Sequence, residues 1–369
     1  MTDDAAHAID GHHATMEIRH RQAPVGARPT DNGITLSVAV PSYSRPNDLD
    51  YLLQTIHAGS RLPDEIVICD DSSPDREEIE RVIDRWQQAF ADSTTTLRYL
   101  QNDVNLGYDR NLQKLIRECT SEYVVFIGND DAFTSAGIRR IYDGIAANHG
   151  LKALSRSFVK FADSLDNSSG VSRFATQDCI FAAGNSKPRM YLRLSAYFGG
   201  LVFDRAWALS KERGSYDGTL YYQLYLFGCA YFETGVGYIY EPVVGARTDG
   251  VPLFGVASTE AGSHQPGGYS ASARAKMWSD ILLIARDIDR DHDASSYDDI
   301  HYELKTRLSF HVFESYAHKS IQDLLALARE LNRLDLMSHP VPIALFLVVL
   351  VFRKWSALLF GLSRRIYQR

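Results

Sequence analysis

The stretch EIVICDDSSPD, residues 65–75, combines the two features that decide the fold of this protein. Its first part, residues 65–69, has the length and composition of a strand that is buried on both faces. The run breaks at Asp70 and Asp71, and two serines then precede Pro74, a residue that favours the first turn of a helix. The stretch therefore predicts a buried strand that ends in an acidic turn and passes directly into a helix.

The same scheme recurs on both sides of this stretch. Further runs typical of strands occupy residues 36–40, 97–102 and 123–128, and each precedes a segment with apolar residues at helical spacing. Short buried strands that alternate with helices are typical of a mostly parallel sheet covered on both faces. We therefore predict a doubly wound α/β fold for residues 34–150. In such sheets, ligands bind at the carboxyl ends of the strands.

Composition divides the rest of the chain. A length of 369 residues allows two or three domains of ~100 to 200 residues each. Residues 1–33 are polar and irregular and indicate a flexible tail. Residues 151–250 are aromatic and less periodic, which favours strands mixed with short helices. Residues 251–340 begin with a Gly-, Ser- and Pro-rich loop, predicted to be mobile, and continue with helical patterns, whereas residues 341–369 are apolar and basic.

Charge and cysteine usage narrow the function classes. A formal net charge of -7 argues against general affinity for nucleic acid. The four cysteines are scattered without a CxxC pair, which indicates core thiols, a reducing compartment and no zinc site. The first residues lack the charged and apolar pattern of a secretory signal. We therefore expect a cytoplasmic protein.

The last segment suggests contact with a membrane. Its twelve apolar residues, VPIALFLVVLVF at 341–352, fall short of the ~20 that a helix needs to cross a bilayer. Arg353 and Lys354 then interrupt the apolar pattern, and the chain carries five basic and no acidic residues after Pro340. This pattern favours a segment that lies on an anionic membrane surface, with a buried C-terminal helix as the alternative.

A second acidic turn, GNDD at residues 128–131, follows the fourth predicted strand. The chain lacks the phosphate-binding patterns GxxxxGK[ST] and, after the first strand, GxGxxG, and it also lacks GxSxG and HExxH. A diphosphate can instead be bound through Mg²⁺, which takes one or two protein carboxylates and the phosphate oxygens. Asp130 and Asp131 suit that task. A purely structural capping turn is the alternative, for these residues as for Asp70 and Asp71.

Four blocks in order resemble the family 2 glycosyltransferases of the GT-A fold. They are LSVAVPSYSRPNDLDYLLQTI, EIVICDDSSPD, NDVNLGYDRNLQKLI and EYVVFIGNDDAF, within residues 36–133. The LGYDRN and GNDD variants resemble the abequosyltransferase-like branch, whose members build bacterial surface polysaccharide on a lipid carrier. The resemblance implies an inverting transfer of sugar from a UDP- or dTDP-sugar to a lipid-linked or polysaccharide acceptor. It also implies Mg²⁺ or Mn²⁺ as cofactor and a place on the inner face of the cell membrane.

The resemblance also implies roles for individual residues. Residues 34–150 would bind the donor and residues 151–250 the acceptor. Asp70 or Asp71 would accept a hydrogen bond from the nucleobase. GNDD stands where the family has a DxD motif, so two aspartates would hold the metal, Asp130 and Asp131. The implied donor-binding residues are Pro41, Ser42, Tyr43, Asp70, Asp71, Asn105, Gly107, Arg110, Asn111, Asn129 and Asp130.

The catalytic base is less well defined. The family supplies it from an Asp or a Glu-Asp pair in the second half, but the matching stretch, YDGTLYYQLYLF at 216–227, has Tyr221 and Tyr222 at that place. Asp217 is the nearest carboxylate and is the predicted base, with Glu233 as the second candidate. The missing family base favours one alternative, a non-catalytic GT-A-like module that binds a nucleotide sugar or glycan. A nucleotidyltransferase is a further alternative, but it would need a basic, Gly-rich pyrophosphate loop after the first strand. The sequence lacks such a loop, which disfavours this alternative.

Overall fold

A computed structural model describes residues 33–264, 267–356 and 359–360. The predicted tail therefore lies outside the described residues except for Gly33, and so does the end of the chain, residues 361–369. The described strands form one sheet. They are β1 (Leu36–Ser42), β2 (Glu65–Asp70), β3 (Thr96–Gln101), β4 (Tyr123–Phe126), β5 (Ala132–Phe133), β6 (Ala153–Phe161), β7 (Ser168–Ser172), β8 (Cys179–Phe181), β9 (Val202–Asp204) and β10 (Val236–Arg247).

Helices follow or separate most of these strands. Those of the first half are α1 (Pro46–His57), α2 (Arg76–Phe90), α3 (Tyr108–Glu118) and α4 (Gly137–Ala147). Those of the second half are α5 (Arg189–Ser195), α6 (Arg205–Ser210) and α7 (Tyr222–Glu233). The C-terminal extension contains α8 (Ala271–His292), α9 (Tyr297–Glu303), α10 (Ser309–Ser315), α11 (Ile321–Arg333) and α12 (Pro340–Phe352), with a π-helical segment, Leu304–Leu308, between α9 and α10.

The strand order is β3-β2-β1-β4-β9-β6-β10-β5, with β7 paired to β6 and β8 paired to β10. Strands β1 to β4 are mutually parallel, and β6 is parallel to β10. The short β9 is antiparallel to both β4 and β6 and joins the two parallel groups. The predicted doubly wound, mostly parallel α/β fold with a C-terminal helical extension is confirmed.

Strict alternation of side chains explains why the middle residues of the central strands are apolar on both faces. Val38 and Val40 of β1 pack into one hydrophobic cluster, whereas Ala39 between them packs into the cluster on the opposite face. Ile68 and Cys69 of β2 divide in the same way. Because helices cover both faces of the sheet, neither face of these strands needs a polar residue.

Partly buried ion pairs connect the helical extension to the sheet domain. Glu303 of α9 is 1% exposed and accepts hydrogen bonds of 2.7 and 2.8 Å from Arg193 of α5. Arg189 of the same helix donates to Asp299 at 2.9 Å. A buried carboxylate is costly unless it is paired, so these contacts fix the extension to α5 in one arrangement.

The strand order places several turns at one edge of the sheet. Strand β1 lies between β2 and β4, so the chain reverses its direction of travel across the sheet at this point. The residues that follow these three parallel strands therefore meet at one edge, at a switch point of the kind where doubly wound sheets bind ligands.

Candidate active site

A cleft of about 280 Å³ opens at this edge, close to the lower end of the range for small-molecule sites. Nine of the eleven predicted donor-binding residues line it, and Asp131 lines it as well. The two that do not are Asp70 and Arg110. The nine are Pro41, Ser42, Tyr43, Asp71, Asn105, Gly107, Asn111, Asn129 and Asp130.

The acidic turn after β4 directs two carboxylates toward one point. A Cβ atom on Gly128 would lie 2.9 Å from Oδ1 of Asp130 and 2.9 Å from Oδ2 of Asp131. The absence of a side chain at Gly128 therefore leaves the space between these two oxygens open. This separation of roles explains the GNDD sequence: glycine supplies the space and the two aspartates supply the oxygens.

The two aspartates have different surroundings. Asp130 is partly exposed and forms an ion pair with Arg45. Asp131 is 5% exposed, accepts a hydrogen bond of 3.1 Å from the Arg247 amide and accepts another from the Tyr197 hydroxyl. Burial, followed by the charge of Asp130, raises the pKa of Asp131 to about 7. A cation between the two carboxylates would favour the ionised form of Asp131 and would therefore lower its pKa, opposing both burial and the charge of Asp130.

The donor set of this turn fits a hard divalent cation that keeps other ligands. Two aspartate oxygens are what Mg²⁺ commonly takes from a protein when phosphates complete its shell. In residues 33–264, 267–356 and 359–360, no cluster of three or more His, Cys, Asp or Glu side chains could hold a metal ion. The site is thus suited to a cation that arrives with a phosphate ligand and unsuited to a structural zinc ion.

Asn129, between the glycine and the aspartates, connects the turn to β1. Its Nδ2 donates to Ser42 Oγ at 3.2 Å and to the Ser44 carbonyl at 2.8 Å. The side chain is buried and lines the cleft. The amide therefore fixes the β4 turn against the turn after β1, and both line the same cleft.

The neighbouring aspartates after β2 point in different directions. Asp71 lines the cleft and accepts from the amides of Leu106 and Gly107 at 2.7 and 2.9 Å. Burial raises its pKa, and these hydrogen bonds partly oppose that shift. Asp70 is 0% exposed and accepts from the Tyr99 hydroxyl at 2.6 Å. The structure thus brings Asp71 to the cleft and keeps Asp70 within the packing between β2 and β3.

The predicted base does not line the cleft. Asp217 accepts from Arg110 Nε at 2.5 Å and from Gln113 Nε2 at 3.2 Å, both on α3. This ion pair accounts for the position of Arg110 outside the cleft as well. Glu233, the second candidate, pairs with Lys211 and accepts from Trp207 away from the cleft.

The lining residues that sequence reasoning did not assign to the site include Arg45, Tyr197, Arg247 and Glu260. Arg247 ends β10, and its Nε donates to the Asp130 carbonyl at 3.1 Å. An arginine at a strand end was the available signal for it. Tyr197 lies in the aromatic stretch SAYFGG, where its pattern does not differ from that of a core residue. Glu260 lies in the Gly- and Ser-rich loop, which gives no local signal.

Comparison with known proteins agrees with this geometry. Residues 37–180 match the family described as Glycosyl transferase family 2. Residues 37–180 therefore resemble a family 2 glycosyltransferase domain. It is 24% identical over 225 residues to abequosyltransferase RfbV of Salmonella typhimurium strain LT2, an alignment that covers 58% of this chain and 67% of that protein. The resemblance predicted from the four sequence blocks is confirmed over this segment.

Solved structures support the fold. The S. aureus TarS 1-349 complex with UDP-GlcNAc superposes with a TM-score of 0.57 at 16% identity and covers 89% of both chains. TarS 1-349 alone gives 0.54 at 15% identity, again over 89% of both chains. At these identities the likeness concerns the architecture alone, and it supports the predicted GT-A fold.

The open space at Gly128 gives a direct test of the acidic turn. In the Gly128→Ala variant the new methyl group must displace the carboxylates of Asp130 and Asp131, so we expect Mn²⁺ affinity to fall by about tenfold, or about 1.4 kcal/mol. Isothermal titration calorimetry with Mn²⁺ and a nucleoside diphosphate measures this. Gly170→Ala is the matched control because a Cβ there meets nothing within 4 Å. Equal affinities in both variants would refute the convergence of the two carboxylates.

Proposed function

We propose that the protein transfers a sugar from a nucleoside diphosphate sugar to the hydroxyl of a lipid-linked or polysaccharide acceptor in bacterial surface glycan synthesis, with inversion at the anomeric carbon. The observation that carries this proposal is one cleft at the sheet's switch point, lined by nine of the residues predicted to bind the donor, with the carboxylates of Asp130 and Asp131 converging on Gly128. The relative RfbV is described as an abequosyltransferase, which supports transfer of a sugar by this chain too.

Charge balance in the cleft supports a divalent cofactor. Among the described lining residues, four carboxylates face two guanidinium groups, those of Arg45 and Arg247. With all of them ionised, the lining carries two net negative charges before a diphosphate adds its own. The cleft therefore needs further positive charge to hold a donor, and Mg²⁺ or Mn²⁺ between Asp130 and Asp131 would supply it.

The proposed reaction follows from inversion. The acceptor oxygen forms a bond to the anomeric carbon from the side opposite the diphosphate, and the bond from that carbon to the phosphate oxygen breaks with its electron pair. A carboxylate takes the acceptor proton. A bound Mg²⁺ or Mn²⁺ would stabilise the negative charge on the departing diphosphate. Arg45 and Arg247, fixed beside the acidic turn, add positive charge without any need for reorganisation.

Asp217 is the proposed base, and its role requires a local movement. The Arg110 ion pair holds its carboxylate on α3, so the turn around Gly214–Tyr216 and Gly218 would have to shift for it to meet an acceptor. The segment is short and connects β9 and α6 with the start of α7. Arrival of an acceptor that competes for Arg110 would free the carboxylate.

A donor screen tests the function. We expect one of the UDP-, dTDP-, GDP- or CDP-sugars to be turned over with Mn²⁺, and the rate to fall by about tenfold or more on chelation, because the cation offsets the diphosphate charge. Asp131→Asn should lose activity to a similar extent. Binding of a nucleotide sugar without any turnover would favour the non-catalytic module. Absence of both turnover and thermal stabilisation by nucleotides would exclude both readings.

The base assignment has its own test. Asp217→Asn should reduce transfer by about a hundredfold or more, since base catalysis contributes at least that much, while the donor dissociation constant stays unchanged. Glu233→Gln is the matched control, with the second candidate carboxylate made neutral. If Asp217→Asn keeps its activity, the residue only fixes α3 against the turn, and a loss in Glu233→Gln alone would move the base to Glu233.

The C-terminal helix supports a peripheral position on the membrane. Leu345 and Val349 of α12 are buried against the neighbouring helices, whereas Leu347 and Val351 are 50% and 69% exposed, and Trp355 beyond the helix is 61% exposed. Basic residues accompany this apolar row, and none of the residues after Pro340 is acidic. Among the described helices, none is both long and apolar enough to span a bilayer. We propose that this row lies on the anionic inner face of the cell membrane.

Vesicle sedimentation tests this surface. Because α12 also contributes buried residues, substitutions on its exposed row are better than truncation. The double variant Leu347→Glu, Val351→Glu should stay folded and lose binding to phosphatidylglycerol-containing vesicles, because the carboxylates remove apolar contact and repel anionic lipid. Val171→Glu, at an exposed apolar position on β7, is the control. Undiminished sedimentation of the double variant would refute the proposed surface.

A further inference from the structure

One wall of the cleft comes from the segment after β10, residues 251–264, which we name the cleft loop. Pro252, Leu253, Phe254 and Val256 of this loop line the cleft. Its composition predicts mobility, yet the loop is tied to the first half of the sheet domain by specific contacts. A single buried carboxylate makes one of these contacts and one contact within the loop.

That carboxylate belongs to Glu260. Its Oε1 accepts from the Tyr108 amide at 2.8 Å and its Oε2 accepts from the Gly255 amide at 2.7 Å. It is 3% exposed and lines the cleft. One carboxylate therefore binds the first residue of α3 and, at the same time, closes the cleft loop on itself.

Close packing around Glu260 shows that the loop fits this place. A Cβ on Gly107 would lie 2.8 Å from Thr259 Oγ1 and 2.9 Å from Glu260 Oε1. A Cβ on Gly218 would lie 2.2 Å from the Thr259 carbonyl. Both glycines have positive φ angles, +86° and +81°, so any other residue would be strained there as well as crowded. The loop thus rests directly on the backbone at both positions.

One of the two amides that Glu260 accepts from, that of Tyr108, lies in the turn at the start of α3. Gly107, immediately before Tyr108, donates to Asp71, and Asp71 lines the cleft. The first amides of a helix have no partner within the helix. Two carboxylates from distant parts of the chain therefore satisfy consecutive amides, and the position of the cleft loop depends on the same helix start as the donor site.

We propose that Glu260 is a positioning residue for sugar transfer: it holds the cleft loop against the start of α3 so that the loop encloses the bound donor. This inference rests on the proposed function for its kinetic part only. Charge-assisted hydrogen bonds are stronger than neutral ones, and buried amides left without an acceptor are unfavourable. Loss of the carboxylate therefore releases the loop instead of leaving it in place with unpaired amides.

Enclosure matters for this reaction because water competes with the acceptor hydroxyl. A wall that excludes water favours transfer over hydrolysis of the donor. A released loop weakens donor binding and admits water, whereas a loss of overall stability would do neither at temperatures where the protein stays folded. Weaker donor binding together with increased donor hydrolysis would therefore identify Glu260 as a positioning residue.

Hydrogen exchange of the ligand-free protein tests the contact independently of catalysis. In Glu260→Ala, we expect amides in residues 251–264 and at the start of α3 to exchange about tenfold faster than in the wild type, with unchanged exchange in β1. The control is Glu65→Gln, because Glu65 is also buried and also accepts a backbone amide, that of Thr120 at 2.8 Å, but lies outside the cleft. Unchanged exchange in the loop of Glu260→Ala would overturn the proposal.

Kinetics then test the consequence. In Glu260→Ala the donor KM should rise by about tenfold and the ratio of donor hydrolysis to transfer should rise as well. Glu260→Gln, which keeps one acceptor oxygen, should recover part of both effects. Glu65→Gln should lower thermal stability and leave both parameters as in the wild type. Unchanged KM and unchanged donor hydrolysis in Glu260→Ala would overturn the role of Glu260 in transfer. If the wild-type protein is inactive with every donor, the proposed function is contradicted, and the hydrogen-exchange result alone decides whether Glu260 holds the loop.

Discussion

The start of α3 is the constraint on which the cleft depends. Its first amides cannot bond within the helix, and the chain satisfies them with carboxylates instead of water. Asp71 follows β2, and Glu260 comes from a loop 152 residues beyond Tyr108. Both carboxylates are buried, and burial of a charged group is unfavourable unless the group keeps its hydrogen-bond partner, here a backbone amide. The turn before α3, the end of β2 and the wall of the cleft are therefore fixed by one set of hydrogen bonds.

The fold was accessible to sequence reasoning because its signal is local. Each central strand is short and apolar on both faces, as Val38, Ala39 and Val40 illustrate, and each is followed by a helix pattern. The acidic turns were accessible for the same reason, since parallel strands bring their carboxyl ends to one edge. Local pattern did not decide between Asp70 and Asp71. Successive residues at a strand end point to opposite sides, and only the pairing of β2 with Tyr99 of β3 shows which aspartate turns inward.

The rest of the site depends on contacts between distant segments. Glu260 has no helical or strand period around it, so nothing in its neighbourhood distinguishes it from a solvated loop residue. Arg110 and Asp217 were each predicted to serve the site, yet they pair with each other, and a pattern of single residues contains no information on such a pair. The C-terminal helix shows a related limit. Its sequence is apolar on every face, and such a pattern cannot distinguish the face that packs from the face that remains exposed.

Arg45 shows how the charge and the enclosure of the cleft are connected. It precedes Pro46, a position that favours extended backbone, but its φ angle is +67°, which is unfavourable for a residue with a side chain. The conformation is sustained by what the guanidinium reaches: Nη1 donates to Asp130, and Nη2 donates to the carbonyl of Val251 at the start of the cleft loop. One side chain thus joins the acidic turn to the loop at the end opposite Glu260. Any ligand that competes for Arg45 at Asp130 also acts on the loop, so the electrostatics of the turn and the closure of the cleft cannot vary independently.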